Sequence, residues 1–373
     1  TNGKGSSAVL AAEIYRAGGY RTGFYTSPHL LHYNERVNIH GQPVTDAALC
    51  EAFHAVEKAR ADISLTYFEF GTLAALWLFR QAQVHIQVLE VGLGARLDAV
   101  NIIDADCAVV TSIGLDHVDL LGPDRESIGR EKGAIYRADR PAVCADRDPP
   151  PSIIHAGRRS RFVRIGTDFD GLPDSVNPEN RWHWYGWRSR YENIPLPALP
   201  GEKQLDNAAG VLAAIESLQA LRPVSRDAIE TGLRRVRLPG RLERRGDLLL
   251  DVGHNGEAIQ ALAQHIQRQQ LVPRAVVIGM MHDKPVEKVA TLLAGLCDAI
   301  YAAGLPPPRG LPGPALAARL ATGGIKARSC ADVPAALSAA RAQTSGSGPI
   351  VVCGSFKTVA AAIESQTEDQ TPC

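Results

Sequence analysis

Thr1-Asn2-Gly3-Lys4-Gly5-Ser6-Ser7, running straight into the helical pattern Ser7 to Ala17, is the stretch on which the reading of this chain turns. Glycines on both sides of a lysine let backbone amides at a helix start face phosphate oxygens, while Lys4 reaches the terminal phosphates. The pattern departs from G-x-x-x-x-G-K-[ST], because Gly5 follows the lysine and no leading glycine is present. Taken alone, it fits an ordinary helix-starting turn as well as a nucleotide loop. A phosphate loop is normally fed by a buried strand, so residues upstream of Thr1 are expected.

Outward from this loop, short β-branched runs alternate with longer Ala/Leu-rich stretches, the pattern of parallel strands joined by helical crossovers. Strands are expected at Ile86 to Val91, Ala108 to Ile113 and Ala142 to Cys144, and helices at Asp46 to Arg60, Phe70 to Gln81 and Gln204 to Leu221. From Pro149 to Pro200 the texture turns to Pro, Gly and aromatic residues, which predicts short antiparallel strands carrying Trp182, Trp184 and Trp187. Period two puts Trp182 and Trp184 on one buried face and turns His183 away from it, toward solvent. Leu238-Pro239-Gly240 closes a helical stretch, and a charged run then precedes the next strand. Strands recur at Leu248 to Val252, Ala275 to Ile278, Ala299 to Ala302 and Ile350 to Cys353, with an exposed Pro/Gly-rich loop at Leu305 to Pro314. The class is α/β: a P-loop-type, mostly parallel sheet domain with a small antiparallel subregion over 1–238, and a second Rossmann-like α/β domain over 239–373.

Lys plus Arg and Asp plus Glu number 40 each, so no excess field draws the chain to nucleic acid or anionic lipid. A small-molecule partner is expected. The apolar runs, such as Leu73 to Phe79, fall short of the roughly 20 residues that span a bilayer. The 7 cysteines are odd in number and scattered from Cys50 to Cys373, without the paired spacing of a zinc site or disulfide framework, which fits a reducing cytoplasm.

Chemistry gathers at the carboxyl ends of the expected strands, where open α/β sheets bind ligands. Tyr25-Thr26-Ser27-Pro28-His29 lies beyond a first, short strand-like stretch from Tyr20. Leu89-Glu90-Val91-Gly92-Leu93-Gly94-Ala95-Arg96-Leu97-Asp98 follows the second, with Glu90 suited to magnesium and Asp98 to the donors of a substrate ring. Thr111-Ser112-Ile113-Gly114-Leu115-Asp116-His117 follows the third, with Gly129-Arg130-Glu131-Lys132-Gly133 beyond it. Each acid or imidazole taken singly fits a solvated loop side chain; their recurrence at successive strand ends shifts the balance toward a site.

Together T-N-G-K-G-S, S-P-H, Y-F-E-F-G-T, L-E-V-G-L-G, R-L-D-A and D-H resemble the folylpolyglutamate and dihydrofolate synthases of the Mur-ligase superfamily. The later segments Asp206-Asn207-Ala208-Ala209, Leu238-Pro239-Gly240-Arg241-Leu242-Glu243, Asp251-Val252-Gly253-His254-Asn255, Met281-His282-Asp283-Lys284 and Gly354-Ser355-Phe356 occur in the family's order. Ser64 to Phe70 and Gly122-Pro123-Asp124-Arg125-Glu126-Ser127 look most like the bacterial bifunctional form.

The resemblance implies an ATP-dependent ligase joining L-glutamate to dihydropteroate and to folates through an acyl phosphate. It makes Asn2, Gly3, Lys4, Gly5 and Ser6 the ATP phosphate loop, and Ser27 and Glu90 ligands of one Mg2+ ion with His117 a ligand of a second. Lys132 matches a lysine that is carbamylated in some members. Asn207 would approach adenine, Arg241 a phosphate and Asp251 the ribose. Phe68 and Asp98 match contacts to the pterin-bearing substrate, and His254 and Ser355 lie on the glutamate side. The roles given to Lys4, His117, Lys132, Arg241 and His254 are catalytic, in a cytoplasmic monomer. Ala95, the order Gly133-Ala134, and Gly253 and Gly256 in place of the Ala and Pro of A-H-N-P depart from the family pattern. The missing proline is expected to loosen the loop holding His254. Three alternatives are a Mur-type ligase with another carboxylate acceptor, a P-loop nucleotide-binding regulator, and an inactive truncated form of the ligase. Y-F-E-F-G-T and R-L-D-A argue against the first, and the second leaves the whole second domain unexplained.

Overall fold

A computed structural model describes residues 2–201, 203–293, 295–344 and 346–368. Thr1 of the glycine-rich loop, Ser345 and the tail with Cys373 lie outside the described residues. The chain divides into two compact units, Thr1–Leu238 and Pro239–Cys373.

The first unit opens with α1 (Lys4–Ala17), β1 (Thr22–Tyr25), β2 (Val37–Ile39), β3 (Gln42–Pro43), α2 (Asp46–Arg60), α3 (Tyr67–Gln81) and β4 (Ile86–Leu89). The sheet order is β3-β2-β1-β4, with β1 parallel to β4 and antiparallel to β2. Local chemistry sets the helix starts. The Thr45 hydroxyl accepts from the Ala48 amide, and Thr66 and Glu69 form a reciprocal capping box that begins α3 three residues before the expected Phe70. Gly23 admits the Phe79 ring, since a Cβ there would lie 2.6 Å from it.

Next come β5 (Ala108–Val110), α4 (Val118–Leu121), α5 (Arg125–Gly133), β6 (Pro141–Cys144), α6 (Pro151–Gly157) and β7 (Arg161–Arg164), with the three strands in a parallel sheet. A Cβ on Gly133 would sit 2.6 Å from the Ala156 Cβ, so close packing of α5 on α6 explains the order Gly133-Ala134.

β8 (Asp170–Pro173), β9 (Arg181–Tyr185) and β10 (Arg190–Pro195) form the antiparallel sheet. Trp182 and Trp184 are both fully buried on its inner face, as the alternation requires. The Trp182 indole N–H donates to the Pro195 carbonyl at 2.8 Å. That of Trp184 donates to Ala209 at 3.2 Å, in α7 (Lys203–Leu218). The first core is these rings with Leu10 and Ile14 of α1, Leu212 of α7, and Ile229 and Leu233 of α8 (Arg226–Arg235). Two expectations need correction. Trp187 lies in the turn between β9 and β10, where the Glu216 carboxylate accepts its amide. His183 faces away from the core but is held rather than solvated, since Nε2 is 2.9 Å from Asp174 and Nδ1 accepts from the Asn193 amide.

The second unit runs β11 (Glu243–Arg245), β12 (Leu248–Leu250), α9 (Gly256–Arg268), β13 (Ala275–Ile278), α10 (Val286–Leu293), β14 (Ile300–Ala303), α11 (Gly313–Thr322), β15 (Ala327–Cys330), α12 (Val333–Gln343), β16 (Ile350–Cys353) and α13 (Phe356–Glu368). Its sheet order is β11-β12-β16-β13-β14-β15, parallel except for β11. Strands β12, β13, β14 and β16 are buried throughout, which is why they read as unbroken apolar runs. The two edges do not: Glu-Arg-Arg of β11 and Ala-Arg-Ser-Cys of β15 carry the polar side chains that edge strands tolerate, so hydrophobicity missed both. The loop 305–314 is exposed at 306–309, 312 and 314, while Leu305, Leu311 and Gly313 are buried. No helix among the described residues is long and apolar enough to cross a membrane.

Candidate active site

In the first unit the glycine-rich loop becomes the N-terminus of α1. Gly3 takes φ 92° and caps the helix without a side chain. A Cβ there would lie 2.5 Å from the Asn207 side-chain oxygen, so Asn207 of α7 packs directly on the loop. Gln204, one turn earlier, bonds on both sides: Nε2 donates to Ser6 Oγ at 3.3 Å, and its oxygen accepts from Asn207. The Asn2 carbonyl accepts from the hydroxyls of Thr111 and Ser112 at the end of β5. Ser7 Oγ is buried with no hydrogen-bond partner among the described residues. Open helix amides, a lysine, side-chain-free backbone and a stranded hydroxyl fit a polyphosphate.

Glu90, at the end of β4, turns its carboxylate onto the same loop, 3.5 Å from where a Cβ on Gly5 would stand, and is 8% exposed. Its Oε2 accepts a hydrogen bond from the Thr26 hydroxyl at the end of β1. Ser27 follows Thr26 and precedes a cis Pro28. Among the described residues no group of three or more His, Cys, Asp or Glu forms a metal cage. Glu90 is a carboxylate placed beside the phosphate loop, and magnesium is commonly held by one or two carboxylates plus phosphate oxygens and waters.

His117 sits in the left-handed region at φ 50°, its carbonyl accepting from Leu120 and Leu121, and its imidazole lies 3.8 Å from Asp116. Arg125 and the buried Asp146 hold this loop from behind: the arginine Nε donates to the Ile113 carbonyl, and the carboxylate accepts the Ile113 amide. Lys132 in α5 is buried. Desolvation first, and then the Lys4 charge, lower its ammonium pKa from 10.5 to about 8, with Asp116 opposing. The Lys4 charge is also felt at Asp98, whose carboxyl is raised by burial against three backbone amide bonds from Leu93, Val100 and Gly92. Asp98 lines a cavity of about 350 Å³ with Leu65, Thr72, Arg96 and Ile102. Phe68 packs on Gly92, where a Cβ would lie 2.5 Å from the ring, and stands 5.9 Å from Tyr25. Lys4, Glu90, Asp98, Lys132, Phe68 and Asn207 are therefore linked through one set of strand ends and the loop. Ser27 and His117 stand on flanking turns.

In the second unit, β16 enters between β12 and β13, so the carboxyl ends of these three strands are neighbours at a topological switch point. Asp251 follows β12 and is buried. Its oxygens accept the amides of Leu242 and Gly253, and desolvation raises its pKa against the nearby Arg241. A Cβ on Gly253 would lie 2.6 Å from Asp251 Oδ1, which accounts for glycine at that departure. Arg241 lies over the Phe356 ring at 5.7 Å, and His254 is 6.5 Å from the same ring with Nδ1 on the Val252 carbonyl. The Ser355 hydroxyl caps α13 by accepting the Thr358 amide, and Thr358 in turn donates to the Gly279 carbonyl after β13. Sequence reasoning missed Thr26, Gln204 and Thr358. Thr26 was legible in T-S-P-H, whereas nothing in the sequence marks the other two.

The family described as Mur ligase, glutamate ligase domain matches residues 240–356. The dihydrofolate synthase/folylpolyglutamate synthase of Escherichia coli K12 is 42% identical over 370 residues, 98% of this chain and 84% of the relative. A structure of the E. coli enzyme in complex with DHPP and ADP superposes with TM-score 0.92 at 40% identity, covering 100% of this chain and 88% of that one. The Yersinia pestis bifunctional enzyme complexed with AMPPNP and Mn ion gives TM-score 0.89 at 39% identity, covering 98% and 87%. The chain thus belongs to the dihydrofolate synthase/folylpolyglutamate synthase family of ATP-dependent glutamate ligases.

Proposed function

We propose that the chain joins L-glutamate to dihydropteroate and to folates in the cytoplasm, with Asn2, Gly3, Lys4, Gly5 and Ser6 around the nucleotide phosphates and Asn207 at adenine. Ser27, Glu90 and His117 serve the metal ions, and Phe68 and Asp98 the pterin-bearing acceptor. Arg241 contacts phosphate, Asp251 ribose, and His254 and Ser355 serve glutamate. The observation that carries this reading is the Glu90 carboxylate, held by Thr26 against the glycine loop beside Lys4.

ATP with its metal supplies the phosphoryl group that makes the acceptor carboxylate an acyl phosphate open to the glutamate amine. Lys4 and the first amides of α1 stabilise charge on the transferring group, which is positioning and electrostatics rather than covalent work. Asp98, drawn toward the neutral form by burial, accepts or shares a proton with ring N–H groups of the acceptor. With a pKa of about 8, Lys132 supplies a neutral amine that can attack carbon dioxide, forming an N–C bond and releasing a proton. The resulting carbamate is an anion facing Lys4.

Lys4→Ala and His117→Ala are each expected to lower ATP-, glutamate- and dihydropteroate-dependent phosphate release by at least about 100-fold. Undiminished release from either variant would remove the reading.

A further inference from the structure

Arg36 closes the single turn Tyr33–Arg36 before β2 and is 8% exposed. Its Nε donates to His29 Nδ1 at 2.8 Å, and its guanidinium carbon lies 5.3 Å from the ring centres of both Tyr33 and Tyr67. It makes no ion pair among the described residues. The adjacent acid is occupied by backbone: Glu35 accepts the amides of Leu30, Leu31 and His32. A buried cation without a counter-charge is costly, and two ring faces offset only part of that cost.

Among the described residues the terminal nitrogens of Arg36 make no bond to protein, yet they are not among the sealed, partnerless atoms found there, which are Ser7 Oγ, Tyr15 Oη, Ser152 Oγ and Arg274 Nε. They therefore reach solvent. The Arg36 carbonyl accepts the Thr26 amide at 3.0 Å, which sets the residue across the sheet from the Thr26-Ser27 turn, and Tyr67 adjoins Phe68. A planar guanidinium fork in a fixed orientation selects a carboxylate.

We infer that Arg36, packed against Tyr33 and Tyr67, binds a carboxylate of the acceptor other than the one that is activated. This rests on the ligase reading above. A carboxylate clamped by arginine loses nucleophilicity, so the reacting carboxylate belongs beside Lys4 and Glu90 instead. Dihydropteroate has a single carboxylate and it is the reacting one. A folate already carrying glutamate has a second, α-carboxylate, and that is the group Arg36 takes. Arg36 thus separates the second type of acceptor from the first.

The test compares wild type, Arg36→Gln and Arg36→Lys on dihydropteroate and on a tetrahydropteroyl monoglutamate, by steady-state kinetics and by equilibrium binding of each acceptor without ATP. For Arg36→Gln, KM and Kd for the monoglutamate rise about tenfold to a hundredfold. Values for dihydropteroate stay within about threefold, and Arg36→Lys recovers part of the loss. Equal losses on both acceptors, or none on either, would overturn the inference. If Arg36→Gln fails to give a cooperative melt, the ratio between acceptors in Arg36→Lys decides. A wild-type chain that turns over neither acceptor defeats the ligase reading instead, and acceptor binding still reports on Arg36.

Discussion

Lys132 shows how a single side chain ties stability to chemistry. In the folded chain its pKa is about 8, against an ordinary value of 10.5. Between those values the unfolded chain holds a proton the folded chain has released, so this residue makes stability rise with pH across that window. Below about pH 8 both states are protonated and the native state bears the whole penalty, on the order of 3 kcal/mol. Lys132→Met is therefore expected to be more stable than wild type at pH 7 by about 2 kcal/mol in bicarbonate-free buffer, with activity lost. The advantage shrinks as pH is raised to 9.5. Urea unfolding at the two pH values checks this, and a gap that stays constant would count against a buried, proton-shedding lysine.

At the scale of elements, the loop between β12 and α9 carries the departure the sequence flagged as loosening. The structure shows what still holds it. Asn255 has φ −132° and ψ 169° and caps α9 by accepting the Ala258 amide, and the His254 ring bonds the Val252 carbonyl. Gly256 is the first helical residue, and a Cβ there meets only Leu292 Cδ1 at 4.0 Å. Proline is favoured at that position because no helix hydrogen bond is lost, and the extended backbone of Asn255 tolerates a following proline. Gly256→Pro should stabilise the chain by about 0.4–1 kcal/mol through the unfolded state. Thermal denaturation would register a small rise in Tm, and a fall would show that the loop needs glycine. Gly253 is a different case, because alanine there would press on Asp251.

For the whole molecule, each unit has a core of its own. That of the second packs Leu249, Val276 and Val351 on one face of its sheet against Ile259, Val289 and Leu316, and the alternate strand residues Leu248, Leu250, Val277 and Val352 are buried on the other face. A sheet covered on both faces is self-sufficient, so a fragment spanning 239–373 is expected to fold alone. Circular dichroism of that fragment should show a cooperative thermal transition; a gradual, featureless melt would mean that its core needs the first unit.

Sequence alone determined the α/β class, the buried parallel strands and which residues to propose for most of the candidate site, because each is written in contiguous residues. Apolar runs such as Ala275–Ile278 mark strands buried on both faces, and T-N-G-K-G-S and L-E-V-G-L-G carry their chemistry within a few positions. The tertiary structure alone decided what depends on partners distant in the chain. The polar edges β11 and β15 are strands only because a neighbour pairs with them. His183 is held by Asp174 and Asn193 rather than solvated. Glu90 is fixed by Thr26, 64 residues away, and Asn207 reaches Gly3 from the far side of the unit's sequence. Arg36 looks like any surface arginine until Tyr33 and Tyr67 close on it. Periodicity encodes which face of an element is buried, but burial of a charge and the identity of its partners are set by packing between elements, which no local pattern records.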